Sequence, residues 1–472
     1  MPYAPRSSEK RLGWILILTS SAFFMTCLDT LVVGTSLPRI QESLRVSFAS
    51  LQWTVNSYNI AIAAGIICAA ALGDRYGRRR LFVAGLLLFV AASAACALAP
   101  SGAVLIGARA IQGLGGATIL PLSLTILTES FPVDRRATVF GIYGGLAGLA
   151  VAAGPIVGGA VTEGIDWHWI FWLNVPIGLA AALLSTRLLP ESRGPVVPLD
   201  LTGVALASVA LVGIVWGLVR ANDAGWLSVE TLATLVAGWA AFAAFFVWEA
   251  RAAHPMLSLR LLRVRAFAAG NAASFFSLAS ISAGAFLTTQ YFQFALGYSP
   301  LQCGVRLLPF FGTPMIFAPI VGKLSGRTGL RPPITAGMLL MCAGFVLVAI
   351  EASTDPSYPA LVIPLFAAGL GASMTIPTVP AAVMGAVHPS ETGTASGTNN
   401  MLQRFGAVFG VALGSSLFSA YGGLGSPASF TDGYRPGIAV AAALALFGAF
   451  AGLSVSKRAP VETAPEPALE PA

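Results

Sequence analysis

Charge is what this sequence has least of. Of its 472 residues 10% are charged and 56% are apolar, and the mean hydropathy is +0.79. Soluble domains carry about 25% charge and need polar groups to cover their surface. An ordinary soluble enzyme, a nucleic-acid-binding domain and a disordered regulator are excluded on that ground. Cysteine is scarce as well. Cys27, Cys68, Cys96, Cys303 and Cys342 are odd in number and lie in apolar runs without metal-ligand spacing. They read as small buried residues, not as a disulfide framework or a metal centre. Histidine occurs three times, as His168, His254 and His388, always at a run end or in a loop. No metal site follows from them. Catalysis inside a membrane needs acid, base or nucleophile groups gathered at one depth. This sequence has no such cluster, so an enzyme is not expected.

What is present is apolar sequence in long runs. A spanning helix takes about 20 apolar residues. Fourteen runs meet that measure approximately, over 13–36, 53–73, 80–99, 103–127, 138–161, 168–189, 201–219, 231–248, 267–292, 304–322, 333–350, 361–387, 394–420 and 436–455. Pro309, Pro314 and Pro319 interrupt the tenth run, and Pro364, Pro377 and Pro380 the twelfth. Between the runs, the longest outer loops fall around Pro38–Gln52 and Gly422–Tyr434. The first run follows Arg6, Lys10 and Arg11, which resembles the start of a signal peptide. From its length it is expected to be a retained spanning helix.

The net charge of +7 comes from 27 basic and 20 acidic residues. With the N-terminus on the cytoplasmic side, twenty basic residues fall on the inner face. Only four, Arg39, Arg45, Arg220 and Arg435, fall on the outer face. Arg109, Arg306 and Arg404 lie within runs or at their ends. This bias is the positive-inside pattern. It places both termini in the cytoplasm, with the chain multi-pass in the inner membrane, and it leaves no positive patch for nucleic acid. Membrane lipid and a small-molecule substrate are the expected partners, and the chain is expected to be a monomer.

The chain contains an echo of itself. Leu72 to Arg79 follows the second run and Leu324 to Arg331 follows the tenth, with Leu, Arg, Gly and Arg coinciding at an offset of 252 residues. Parallel six-helix halves produce such an echo. The expected architecture is an all-α polytopic membrane protein of two six-helix bundles plus two inserted helices. Residues 1–190 form the first bundle, 191–258 carry the inserted pair, 259–456 form the second bundle, and 457–472 are a disordered cytoplasmic tail.

Asp29 is the only acid in the middle of an apolar run, and intramembrane carboxylates mark functional sites by default. It is either a proton- or cation-coupling group or a packing partner for a buried arginine. Arg109, inside the fourth run, keeps its charge and needs a carboxylate, a polar cavity or carbonyls. Asp29 is its expected partner, because the fourth run should neighbour the first within one half, as a switch released by protonation or as a static ion pair. The turn of Asp74, Arg75, Gly77, Arg78 and Arg79 is a candidate conformational switch, in which Asp74 caps a helix or pairs across the halves. Gly154, Pro155, Gly158 and Gly159 in the fifth run permit close helix approach and a kink, as packing or as mechanism. Asn56, Tyr58, Asn59, Gln112, Gln290, Gln293 and Asn400 are candidate cavity residues. A cavity with few charges and many aromatics suits a bulky amphiphile.

These motifs together resemble the major facilitator superfamily, in its fourteen-helix drug:proton antiporter branch, over roughly Leu12 to Lys457. Leu28, Asp29 and Thr30 through Leu37 and Pro38 look like the first-helix motif. Leu72 to Arg79 is similar to the loop between helices two and three, with Ala70 in place of the leading glycine. Arg109, Gln112 and Gly113 look like the fourth-helix motif associated with proton transfer. Gly154, Pro155, Gly158 and Gly159 look like the fifth-helix antiporter motif, with Ala150 for an upstream glycine. Trp167, Trp169, Phe171, Asn174, Pro176 and Gly178 look like the sixth-helix pattern, with His168 where arginine is common. The resemblance implies alternating access, export driven by inward proton flow, and Asp29 with Arg109 as the coupling core. Protons are the coupling ion and no other cofactor is expected. A proton symporter that imports a nutrient is the alternative, and a non-transporting membrane protein a more distant one.

Overall fold

The computed structural model describes residues 9–194, 200–252, 259–388 and 392–455. The expected tail 457–472 lies outside them, as do 195–199 and 253–258 at the two ends of the expected inserted pair. Helices α1 Glu9–Leu44, α2 Phe48–Tyr76, α3 Arg78–Ala97, α4 Gly102–Ser130, α5 Val133–Gly164, α6 Trp169–Trp172 and α7 Asn174–Leu188 come first. Then come α8 Leu201–Ala224 and α9 Val229–Glu249, followed by α10 Leu259–Leu262 and α11 Arg265–Gln290, with a π turn at Tyr291–Ala295. The chain continues through α12 Pro300–Arg306, α13 Leu308–Phe311, α14 Thr313–Thr328, α15 Arg331–Glu351, α16 Tyr358–Met384, α17 Thr392–Tyr421 and α18 Pro427–Leu453. No strand occurs among the described residues. A bilayer core offers no water to backbone amides, so helices that satisfy themselves are what such runs form.

Among the described residues twelve helices are long and apolar enough to cross a membrane, and thirteen with α2, which bends by 47° between Phe48–Ile66 and Cys68–Tyr76. Fourteen runs were expected; the fifth coincides with the 32-residue α5. The expected outer loop 38–52 is mostly helix, because α1 continues through Pro38 to Leu44. The tenth run is broken at Leu307 and Gly312, next to Pro309 and Pro314. Each proline lacks the N–H its turn would use. Helix α16 carries its three prolines without a break.

Packing repeats between the first seven helices and the last eight. Helix α1 packs on α4, α5 and α7, and α11 packs on α16, α17 and α18. Helix α4 packs on α2 and α3 as α16 does on α14 and α15. Between the two sets, α2 meets α17 and α5 meets α12, a reciprocal exchange that a pseudo-twofold axis produces. Helices α8 and α9 pair tightly, and α8 lies against both α2 and α17. Their contact is backbone to backbone, Gly213 and Gly238 leaving no room for a Cβ.

Candidate functional site

Asp29 and Arg109 meet, each side chain 1% exposed, with Arg109 Nη1 2.5 Å from Asp29 Oδ2. The fold brings them together because α1 packs on α4. The second carboxylate oxygen, Oδ1, accepts from Gln112 Nε2 at 2.9 Å and from Asn174 Nδ2 at 2.8 Å. Both amides also donate to Ser93 Oγ, which donates to the Phe171 carbonyl. Arg109 Nη1 further donates to Gln112 Oε1 at 2.7 Å, and Nε to the Thr54 carbonyl. Its guanidinium lies 4.1 Å from the centroid of the Tyr58 ring, whose hydroxyl donates to the Thr26 carbonyl. Every hydrogen bond Asp29 makes here is one it accepts. An acceptor-only set of contacts suits a carboxylate that faces a guanidinium. The three donors fill three of the carboxylate's roughly four acceptor sites, both on Oδ1 and one on Oδ2.

A cavity of about 270 Å³ lies beside this cluster, between the two sets of helices. Helix α1 faces it with Thr26, Cys27, Thr30, Leu31, Gly34 and Thr35, while Asp29 points the other way into the cluster. The carboxylate and the cavity thus share one helix without sharing a surface. Of the seven expected cavity residues only Asn59 lines it. Tyr58 and Gln112 belong to the Asp29 cluster instead. Gln293 donates to the Thr35 carbonyl from across the interface. Asn56 and Gln290 are fully buried away from it, and Asn400 is exposed, its amide turned back to the Ser396 carbonyl. Polarity within a run marks burial or bonding, but the helix's rotation decides which space the side chain enters.

The four-residue glycine–proline motif divides in the same way. Gly154 and Gly158 face α1, at 2.6 Å from Leu31 Cβ and 2.7 Å from the Val32 carbonyl for an added Cβ. Gly159 faces the other half, where its Cβ would stand 2.7 Å from Leu301 Cα in α12. Gly304 of α12 reciprocates, 2.6 Å from the Pro155 carbonyl carbon. These contacts, with Leu301 N donating to Glu163 Oε2 at 3.1 Å, close the interface at the end where α1 and α5 finish.

At the opposite end, Arg78 bonds Asp74 Oδ1 through Nε at 2.7 Å and pairs with Glu129 through Nη1. The Arg79 amide donates to Glu191 Oε1, and the Arg78 amide to the Ser192 carbonyl. Arg75 stays outside this network, over the Tyr76 ring. An Asp74 contact across the halves was one expectation. Asp74 instead pairs with Arg78 one turn on, and the partners of Arg78 and Arg79 lie on α4 and on the strand of chain after α7. Gly77 has φ +113°, and a Cβ there would stand 2.8 Å from Glu191 Oε1. Gly77→Ala is expected to lower stability by about 1–3 kcal/mol. A melting curve of the detergent-solubilised protein checks this, and an unchanged midpoint would show that the turn is not held as described.

Ser93, Thr54, Glu129, Glu191 and Arg404 were not singled out from sequence as site residues, and Asn174 only as part of the sixth-helix resemblance. Arg404 had a usable signal, a charge inside an apolar run, and it lines the cavity. Arg306 carried the same signal but lies 4.0 Å from the centroid of the Tyr298 ring, a cation–π contact that accounts for it.

Two reciprocal sets of spanning helices around a central cavity, with a buried ion pair between α4 and the cavity-lining α1, define a multi-pass membrane transporter. The chain belongs to the Major Facilitator Superfamily, whose family model matches residues 19–251 and 267–471. It is 34% identical over 416 residues to the tetracenomycin C resistance and export protein of Streptomyces glaucescens, spanning 87% of this chain and 77% of that one. It is also 34% identical over 462 residues to a puromycin resistance protein of Streptomyces alboniger, spanning 94% and 90%. With the multidrug resistance protein Stp of Mycobacterium tuberculosis it shares 35% identity over 411 residues, 86% of this chain and 76% of that one. In fold it is similar to a peptide transporter POT solved with sulfate, at TM-score 0.68 and 17% identity over 94% of this chain and 96% of that one. A bacterial homologue of the human lysosomal transporter Spinster, solved inward-facing and unoccupied, gives TM-score 0.68 at 17% identity over 95% and 98%.

Proposed function

We propose that this chain is a proton-coupled exporter of small amphiphilic compounds, such as antibiotics or related metabolites, working by alternating access. The observation that carries the coupling is the Asp29 cluster: a carboxylate held only by donors, on the helix that lines the cavity. The names of the relatives, resistance and export proteins, support the direction and the substrate class. The reading takes α5 as a fourteenth span, with two six-helix halves, 1–190 and 259–456, and α8–α9 as an inserted pair in a cytoplasmic membrane. Both termini face the cytoplasm, protons are the only coupling ion, and no covalent chemistry is performed.

In the proposed cycle the ionised Asp29 holds Arg109, Gln112 and Asn174 in place while the outer end is closed. Outward opening gives Asp29 access to external protons. Protonation removes its charge and one of its acceptor positions, so the pair with Arg109 loosens and α1 shifts against α4. The cavity face of α1 moves with it and the substrate leaves. Everted vesicles with an acid interior test direction and coupling together. Substrate is expected to accumulate inside and to discharge the pH gradient, and a protonophore, which collapses the gradient, is expected to halt the accumulation. Accumulation only in right-side-out vesicles would instead establish an importer.

A further inference from the structure

Arg404 is the only Asp, Glu, Lys, Arg or His among the described residues lining the cavity. It is half-buried, and its guanidinium bonds Asn59 Oδ1 through Nη1 at 3.3 Å. No carboxylate pairs with it among the described residues. A guanidinium carries five N–H donors and keeps its charge in proteins. Most of that donor fork is therefore left for something else. The nearby buried acid cannot serve, because Asp29 is already neutralised by Arg109 and faces away from the cavity. The field in the cavity is thus that of one uncompensated positive charge, strengthened by apolar walls that screen it poorly.

The rest of the wall sets the remaining chemistry. Leu31, Ile281, Phe286, Phe310, Phe311 and Ile376 supply an apolar surface from both halves. Thr30, Ser282 and Thr289 add hydroxyls. We infer that the cavity binds amphiphiles that combine an apolar, ring-bearing body with an acidic group, and that Arg404 holds the acidic group. This rests on the export reading for its biological meaning, but the binding site itself does not. A carboxylate, phenolate or enolate fits the planar donor fork. A quaternary ammonium of the same body meets a like charge in a low-dielectric site and is rejected. Asn59 orients the arginine, and it follows Tyr58, which stacks on Arg109. One turn of α2 therefore touches both the anion-binding arginine and the ion-paired one.

The test is direct binding to the purified full-length chain in nanodiscs, by calorimetry, with three probes of one ring body. These are 2-naphthoate, 2-naphthamide and (2-naphthylmethyl)trimethylammonium. Hydrogen bonds to charged groups are worth about 1.5–3 kcal/mol, so naphthoate is expected to bind at least about tenfold more tightly than the amide. The cation is expected to bind more weakly than either. Arg404→Gln should erase the order, while Arg404→Lys, which keeps the charge, should preserve the sign of the preference. Equal affinity for acid and amide, an order that survives in Arg404→Gln, or no binding by any probe would overturn the inference. Vesicle export fails or succeeds separately. Export of neutral compounds with no charge preference in binding removes this inference alone, whereas the charge preference without vesicle export leaves the site and removes the exporter.

Discussion

Asp29→Asn is expected to abolish proton-driven accumulation in everted vesicles, a loss of more than about 100-fold. The substitution keeps the shape of the side chain but presents one acceptor and one NH2 donor. In the native cluster Oδ2 receives Arg109, and Oδ1 receives Gln112 and Asn174. Whichever way the asparagine amide turns, its NH2 group faces a donor. Arg109 also stays charged without its counter-ion, and stranding one partner of a buried pair costs about 3–5 kcal/mol, roughly a hundredfold or more in any equilibrium that depends on it. Part of that loss is stability, so the double variant D29N/R109Q separates the effects. With both charges gone, it should regain the thermal stability that Asp29→Asn loses. It should still fail to discharge a pH gradient when substrate is added, because no group there exchanges a proton. Gradient-driven uptake at wild-type rates in Asp29→Asn would remove Asp29 from the coupling mechanism.

With the termini in the cytoplasm as proposed, Gly304→Val should trap the protein open at its outer end and stop net transport. Gly304 approaches the Pro155 carbonyl carbon to 2.6 Å, and Gly159 approaches Leu301 Cα to 2.7 Å, for a Cβ added to either. The atoms in the way are backbone, which cannot rotate aside as a side chain can. Overpacking costs about 1–3 kcal/mol, and the upper figure shifts a closed-to-open ratio roughly 150-fold. Access states differ by only a few kcal/mol, so that shift empties the closed one. A cysteine placed at Thr35 in a cysteine-free background reads the outcome. A membrane-impermeant thiol reagent added outside should label it readily with Gly304→Val and slowly without it. Equal labelling rates would show that this contact does not seal the outer end. Gly154→Val offers a contrast, since Gly154 packs on Leu31 of α1 within one half. Its expected consequence is lost stability without the change in outer access.

The sequence made the membrane class, the approximate spans and the ion pair legible for the same reason. Burying charge in apolar surroundings is so unfavourable that each exception is informative. Asp29 and Arg109 stood out as isolated charges in apolar runs, and the expectation that the first and fourth runs are neighbours brought them together. Sequence did not reveal the orientation of each helix about its axis. A spanning helix that is apolar all round lacks the polar stripe that orients a helix in water. Asn56, Gln290 and Asn400 look like cavity residues by composition, yet only Asn59 of the seven candidates reaches the cavity.

The scarcity of charge determined from sequence alone that this chain crosses a membrane many times, that its few interior charges are meaningful, and that the excess of basic residues labels one face. Only the tertiary structure decided which glycine faces which half, that Asp74 pairs with Arg78 on its own side, and that Asn174 and Ser93 complete the Asp29 cluster. It also decided that the charge in the cavity is positive and belongs to Arg404. The physical reason is one of range. Hydropathy is a property of each segment and is summed along the chain. Pairing, closure and cavity charge arise between segments far apart in sequence, where ångström-scale approach fixes which groups meet.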